Sequence, residues 1–494
     1  MTPFQKLEES YAEVADLAHS ISLLSWDQQT QMPPRGAEAR GNQIATLEGI
    51  LHERLTAPAL GDLLDQANSA PDQTDRQRAW LREFEFSRAR KMTLPGSLVK
   101  ELALETSRAF GVWSQARKKS DFALFAPNLG RIVELKKQEA ECYGYEKTPW
   151  NALVPDYERG LTADSITTLF APLRDATTRL LDRILGSKQI DTSFLNQKWD
   201  TGIQREFGLR VARDLGYDMA SGRQDIAAHP FCTTIGHGDV RITTRYSESR
   251  LLDALLGTIH EAGHAMYEQG LPESDARSPL FDAPGLGVHE SQSRFWEIRI
   301  AHSRPFWSHY LPTLKQYFPG QLDGVDDEAF YRAANKVEPT LIRVEADEVC
   351  YNLHVIIRFE LEVRIFNGEL SVADLPAAWN DLYKRYLGID VPNDAQGCLQ
   401  DVHWAYGSFG YFPTYTVGNI YCAMLTEKMQ ADIPTMWDDC AAGRFDAILG
   451  WLRQNIHRHG KRFGAVELIE QATGHKVSCD ALIRHLEGKY SEIY

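Results

Sequence analysis

A chain of 494 residues, 43% hydrophobic and 24% charged, can bury a large core, and its net charge of -15 argues against a nucleic-acid or anionic-membrane partner. No apolar run approaches the ~18 residues of a membrane span, and the opening residues MTPFQKLEESYAEV lack an apolar signal core, so a cytoplasmic protein is expected. The seven cysteines are scattered without a CxxC pair and read as reduced thiols, not as a disulfide framework or a thiolate metal site.

Helical signals dominate in chain order. FQKLEESYAEVADLAHSISLL near the start spaces its apolar residues by three and four, as do PGSLVKELALETSRAFGVWSQARK and DSITTLFAPLRDATTRLLDRILG further on. Gly and Pro punctuate the runs in MPPRG, SAPD, TLPG, LVPDYERG, LPES and DAPGLG. One segment differs: in FCTTIGHGDVRITTRY, residues 231–246, Val240, Ile242, Thr244 and Tyr246 alternate with Asp239, Arg241, Thr243 and Arg245 after a GHGD turn. This predicts a β-hairpin whose strand could pair with an extended peptide. FDAILGWLRQNIHRHG and DALIRHLEGKY close the chain with two more helices, and the histidine pair in HRHG, His457 to Gly460, reads as a surface helix end. No fixed-period repeat or Gly/Ser linker occurs, so one continuous helical body with subregions is expected.

The hairpin runs into LLGTIHEAGHAMYEQG, residues 255–270. Ser247 or Ser249 is the expected cap of a helix starting near Leu251, and Gly270 with Leu271 and Pro272 its stop. His260 and His264 lie one turn apart on one face and can converge on a single tetrahedral metal. Glu261, beside them, can take a proton from a metal-activated water without itself binding the ion. An ordinary amphipathic helix would show the same apolar stripe of Leu251, Leu252, Leu255, Leu256, Ile259 and Met266, so a third ligand decides between the readings.

Tyr267 and Gly270 stand where HExxHxxGxxH requires glycine and histidine, so that extended motif is absent. Glu268 is two turns from His260, too far to close the site. A second helix expected over GVHESQSRFWEIRIAH, residues 287–302, carries Glu290 in its first turn, and Glu290 would complete a His, His, Glu set with a position left for water. His289 is the rival ligand. Glu297, seven residues beyond Glu290, is placed either to orient a ligand imidazole or to sit as a solvated charge. Zinc suits this donor set, and Co2+ or Mn2+ could substitute, because two imidazoles and a carboxylate discriminate weakly.

The chain resembles the Taq-type thermostable metallocarboxypeptidases in several separated motifs: DVRIT (Asp239, Arg241, Thr243), HEAGH, HESQ, IRVEAD (Ile342 to Asp347) and GCLQDVHW (Gly397 to Trp404). SWDQQTQMPPRGAEAR near the start and GYFPTYTVGN at Gly410 to Asn419 are similar too, and the motifs follow the family's order over nearly the full length. Cys232 and Gln29 depart from the family's usual residues, and neither touches the proposed metal chemistry. The resemblance implies an almost wholly α-helical fold with a long central cleft, similar to neurolysin and angiotensin-converting enzyme, and the small hairpin at residues 231–246 fits a substrate-binding edge beside the metal. It implies one catalytic domain over residues 1–494 with two helical subregions flanking the cleft. It also implies a homodimer that removes single residues from the free C-termini of peptides with broad specificity.

Within that resemblance, His403 and either Tyr411 or Tyr415 would donate to the oxyanion. The alternative for His403 is a buried histidine supported by Asp401 or Trp404. Arg343 would bind the substrate carboxylate through its planar fork, although Asp347 at i+4 offers it an intrahelical partner. Arg241 is a second carboxylate candidate, or else pairs with Asp239 and, with Thr243, shapes the closed end of the cleft.

Overall fold

The computed structural model describes residues 1–494, and it is helical apart from one three-stranded sheet. Each expected helix forms: Pro3–Thr30, Gly96–Lys119, Ala163–Leu185, Asp446–Asn455 and Asp480–Ile493. Thr2 opens the first with a capping box closed by Gln5, and Gln31 caps its end just before Pro33 and Pro34. One apolar cluster runs from Ala109 to Ile493, while a smaller one, built around Phe4, Leu7, Trp80 and Phe84, joins the N-terminal helices to Leu280. A cavity of about 480 Å³ lies between these parts, lined by Tyr11 and His19 on one side and Phe281 and His289 on the other.

The sheet contains the expected hairpin, β2 (Cys232–Gly236) antiparallel to β3 (Asp239–Thr244), and a strand the alternation did not reveal, β1 (Gly222–Ile226), parallel to β3. The order is β1-β3-β2. β3 is therefore central, with both backbone edges already paired, and cannot receive a substrate strand; an added strand could use only the outer edge of β1 or β2. The sheet instead braces the helix Leu251–Glu268. Gln224 Nε2 donates to Thr258 Oγ1 at 2.8 Å and Thr234 Oγ1 donates to Glu268 Oε2 at 3.2 Å.

Helix Leu251–Glu268 begins where its apolar stripe does, but Arg250 occupies the cap position with no side-chain cap; Ser247 and Ser249 bond to each other. Its buried face carries Leu255, Ile259, Ala262, Ala265 and Met266. The second motif helix, Leu286–Arg294, crosses it at a close approach that only glycine permits. A Cβ on Gly263 would lie 2.7 Å from Ser293 Cα and 2.9 Å from the Gln292 carbonyl oxygen, both backbone atoms. Helix Pro413–Asp432 meets the other side of Leu286–Arg294, where a Cβ on Gly418 would come 2.7 Å from Glu290 Cγ.

Beyond Arg294 the expected single helix changes form: residues Phe295–Ala301 make a π-helical turn. The extra residue per turn shifts the phase of every side chain after it. Gly263→Ala is expected to separate the two motif helices and lower stability by about 1–3 kcal/mol, the usual cost of overpacking. Thermal unfolding of that variant checks this, and an unchanged midpoint would show that the crossing is not tight.

Candidate metal centre

Three donor atoms converge where the two helices cross. Glu290 Oε2 lies 3.8 Å from His260 Nε2 and 3.5 Å from His264 Nε2, and all three fall within 4.8 Å of one another. Glu290 is 8% exposed, with the Ser293 hydroxyl donating to it at 3.2 Å. Burial opposes its charge, but the His260 and His264 imidazoles outweigh that and hold its pKa down to about 2. Two nitrogens and one carboxylate oxygen make a donor set that suits a divalent transition metal with an open fourth position.

The π turn supplies the partner behind this set. His260 Nδ1 lies 2.8 Å from Glu297 Oε2, which also accepts from Arg294 Nη1 at 2.8 Å. Burial works against the Glu297 charge, yet Arg294 and His260 hold its pKa down to about 2. A carboxylate can only accept here, so the Nδ1 proton is fixed and Nε2 is left facing the cluster. Burial alone would discharge His260, but Glu290 and Glu297 raise it to about 9. His264 is driven down to about 3, chiefly by burial, and its Nδ1 has no hydrogen-bond partner.

His289 is turned away from the ligand role. Its ring stacks on His264 with centroids 4.2 Å apart, and its Nε2 bonds Glu268 Oε1 at 2.8 Å. Glu261 is 6% exposed and stands outside the converging set, and burial pushes its carboxyl up to about 7.

The distal motifs assemble as a second wall. Arg343 is 5% exposed, in a short 3-10 turn ahead of helix Glu348–Phe366, and forks onto Asp401 Oδ1 at 2.8 and 3.1 Å. Its expected partner Asp347 is elsewhere, capping that helix through the N–H groups of Val349 and Cys350. Arg358 binds the other oxygen of Asp401 at 2.7 Å. Two guanidiniums thus share one carboxylate, which burial disfavours but the arginines hold well below the usual range. One positive charge is left over.

Tyr351, which no motif singled out, links this wall to the metal cluster. Its hydroxyl accepts from Arg343 Nη1 at 3.1 Å, and its ring lies 4.9 Å under Arg294. His403 Nε2 is 3.3 Å from the Tyr415 hydroxyl, and its ring packs 4.4 Å from Phe412 and 5.2 Å from Tyr411. Neither expected support reaches it. Asp401 stays 3.9 Å away and Trp404 donates to Glu362, so the buried His403 Nδ1 is unpartnered. Burial lowers His403 to about 4, so the ring is neutral near pH 7.

The β3 residues are committed to structure. Arg241 forks onto Asp239 at 2.7 and 2.6 Å and lies 4.2 Å over Trp26 of the N-terminal SWDQQT segment. Thr243 is fully buried and accepts the Phe231 N–H at 2.9 Å, which holds the HPF segment. His457 is likewise internal, not a surface helix end: it is 1% exposed, with Nε2 2.9 Å from Gln292 Oε1.

An HExxH helix crossed by a glutamate-bearing helix, inside a helical body, defines the class of HExxH metallopeptidases. The chain matches the Carboxypeptidase Taq (M32) metallopeptidase family over residues 6–490; it belongs to that family and is a metallocarboxypeptidase. It is 43% identical to thermostable carboxypeptidase 1 of Thermus thermophilus, with 100% of each chain aligned. It is 39% identical to carboxypeptidase 1 of Bacillus subtilis, over 97% of this chain and 96% of that one. Among solved structures, the M32 carboxypeptidase of Deinococcus radiodurans R1 superposes with a TM-score of 0.98 at 40% identity, covering 100% of this chain and 99% of that chain.

If Glu290 is the third ligand and His289 is not, His289→Ala keeps one metal per chain and Glu290→Ala loses it, as read by elemental analysis after dialysis. Glu297→Ala is expected to weaken metal binding about 10–100-fold in a chelator competition. Equal metal retention by all three variants would contradict the assignment.

Proposed function

We propose that the metal is zinc, held by His260, His264 and Glu290, and that the enzyme removes single residues from the free C-termini of peptides. The observation that carries this reading is the pairing of a compact His, His, Glu set with an arginine wall whose positive charge exceeds its negative charge by one. Co2+ or Mn2+ can replace zinc in such a set. When bound, the ion acidifies a water and polarises the scissile carbonyl as a Lewis acid.

The chain's own residues do the rest. Glu261 takes the proton of the attacking water and passes it to the leaving amine. Its buried position beside the ligands supports that role. Neutral His403 and the hydroxyl of Tyr415 or Tyr411 donate to the developing oxyanion, a contribution of about 3 kcal/mol per donor. Arg343 takes the substrate carboxylate, helped by Arg358 behind it and the Tyr351 hydroxyl beside it. Asp239, Arg241 and Thr243 fix the sheet end of the cleft and act on substrate through its shape.

The reading extends to one catalytic domain over residues 1–494, acting as a homodimer in the cytoplasm without nucleic-acid or membrane partners. No helix is long and apolar enough to cross a membrane, and the net charge of -15 supports the lack of a polyanionic partner.

The test is a mass-spectrometric time course on an N-blocked peptide with a free C-terminus and on its C-amidated twin, with zinc and with chelator. A ladder of single-residue losses from the free peptide alone, abolished by chelator, is expected. Glu261→Gln should lower kcat about 10²–10⁴-fold while retaining the metal. Internal cuts in both peptides would overturn the exopeptidase reading in favour of an oligopeptidase. Arg343→Ala should cost about 2–5 kcal/mol in kcat/KM for the free peptide; an unchanged preference for the free C-terminus would remove Arg343 from its role.

A further inference from the structure

The π turn Phe295–Ala301 presents two charged side chains to two different places. Glu297 bonds His260. Arg299 instead lines a separate cavity of about 530 Å³, none of whose lining residues belongs to the metal cluster or to the Arg343–His403 wall. Arg299 is 4% exposed. It makes no ion pair and no hydrogen bond to oxygen; the thiol of Cys422, a weak acceptor, lies against it.

The other charges around this cavity are accounted for. Arg484 at the rim forks onto Glu427 at 2.9 and 2.7 Å, and Arg304 is held by Glu328 and Glu492. At the inner end, Glu348 takes His485 and Lys489, each at 2.7 Å. Burial lowers both His485 and His302, the two imidazoles of the lining, to about 4, so neither carries charge near neutrality. The inner end therefore holds two cations, Arg299 and Lys489, against the single carboxylate of Glu348.

A guanidinium does not discharge in a protein, and a buried one without a counter-charge is costly. Its rigid fork also matches the spacing of carboxylate or phosphate oxygens. We propose that this cavity is a second, non-catalytic site for a small oxygen-bearing anion, a carboxylate or a phosphate, gripped by Arg299 with Lys489 beside it. Carboxylate and phosphate share the chemistry the site recognises, and the ion supplies the negative charge that the inner end lacks.

Equilibrium dialysis of labelled inorganic phosphate, and in a second arm labelled acetate, tests this on the full chain in chloride-free buffer. Both zinc-loaded and metal-free protein are used, which separates the site from anion binding at the catalytic metal. Saturable binding of about one ion per chain in both metal states is expected, weakened at least about tenfold by Arg299→Gln and less severely by Lys489→Met. Phosphate alone or acetate alone would name the source of the chemistry and support the site equally. Binding that disappears with the metal, binding unaffected by Arg299→Gln, or no saturable binding of either ion at millimolar concentration would overturn it. Should Arg299→Gln fail to fold, selenate soaked into wild-type crystals gives an independent reading. An anomalous peak between Arg299 and Lys489 supports the site, and none there refutes it.

Discussion

The short helix Leu286–Arg294 is clamped between two others, and the position of Glu290 depends on that clamp. On one side Gly263 of the HExxH helix leaves room for the backbone at Gln292 and Ser293; on the other Gly418 leaves room for the Glu290 side chain itself. A methyl group at either place meets atoms closer than 3 Å, and at Gly263 those atoms are backbone that cannot rotate aside. The glycines in HEAGH and YTVGN thus share one purpose. They set the interhelical distance at which a glutamate from one helix reaches two histidines on another.

That crossing is laid out in charge as well as in shape. Glu290 and Arg294 are buried and Glu297 partly so, and the two carboxylates stay ionised because the imidazole of His260 and the guanidinium of Arg294 are near. Removing such groups from water costs several kcal/mol per ion unless the partners are well placed. The side chains that place them reach across the chain: Arg294 donates to Asn419, Asn419 to Asn352, and Tyr351 spans from Arg294 to Arg343. The metal cluster and the Arg343 wall therefore form one connected polar layer. The apolar mass that supports it is the cluster running from Ala109 to Ile493.

The sequence made the helices, the hairpin and the three converging ligands legible, because each leaves a local trace: apolar spacing, β-branched alternation, or two histidines one turn apart. Glu290 was readable because it falls in the first turn of the next expected helix, after the DAPGLG stretch, and completes a His, His, Glu set. The residues that escaped notice are those whose role is set by distant partners. Tyr351 looks like any aromatic in an apolar helix, and its contacts to Arg294 and Arg343 come from separate segments. Arg343 has a plausible local partner in Asp347, but the helix N-terminus takes that carboxylate first. His457 carries the spacing of a surface pair, yet Gln292 and Tyr267 enclose it. β1, with the polar sequence GRQDI, lacks alternation because Gln224 and Asp225 are both buried in polar contacts. The π turn has no sequence signature at all, although Glu297, which bonds His260, lies within it.

The central claim is that the helix crossing builds one three-ligand metal site with Glu261 beside the ion and not on it. Anomalous diffraction at the zinc edge, from crystals of the zinc-loaded protein, tests this most directly. A single peak at about 2 Å from His260 Nε2, His264 Nε2 and a Glu290 oxygen, with Glu261 and His289 beyond bonding distance, is the expected result. A peak that takes Glu261 or His289 as a ligand, or that omits Glu290, would contradict the account.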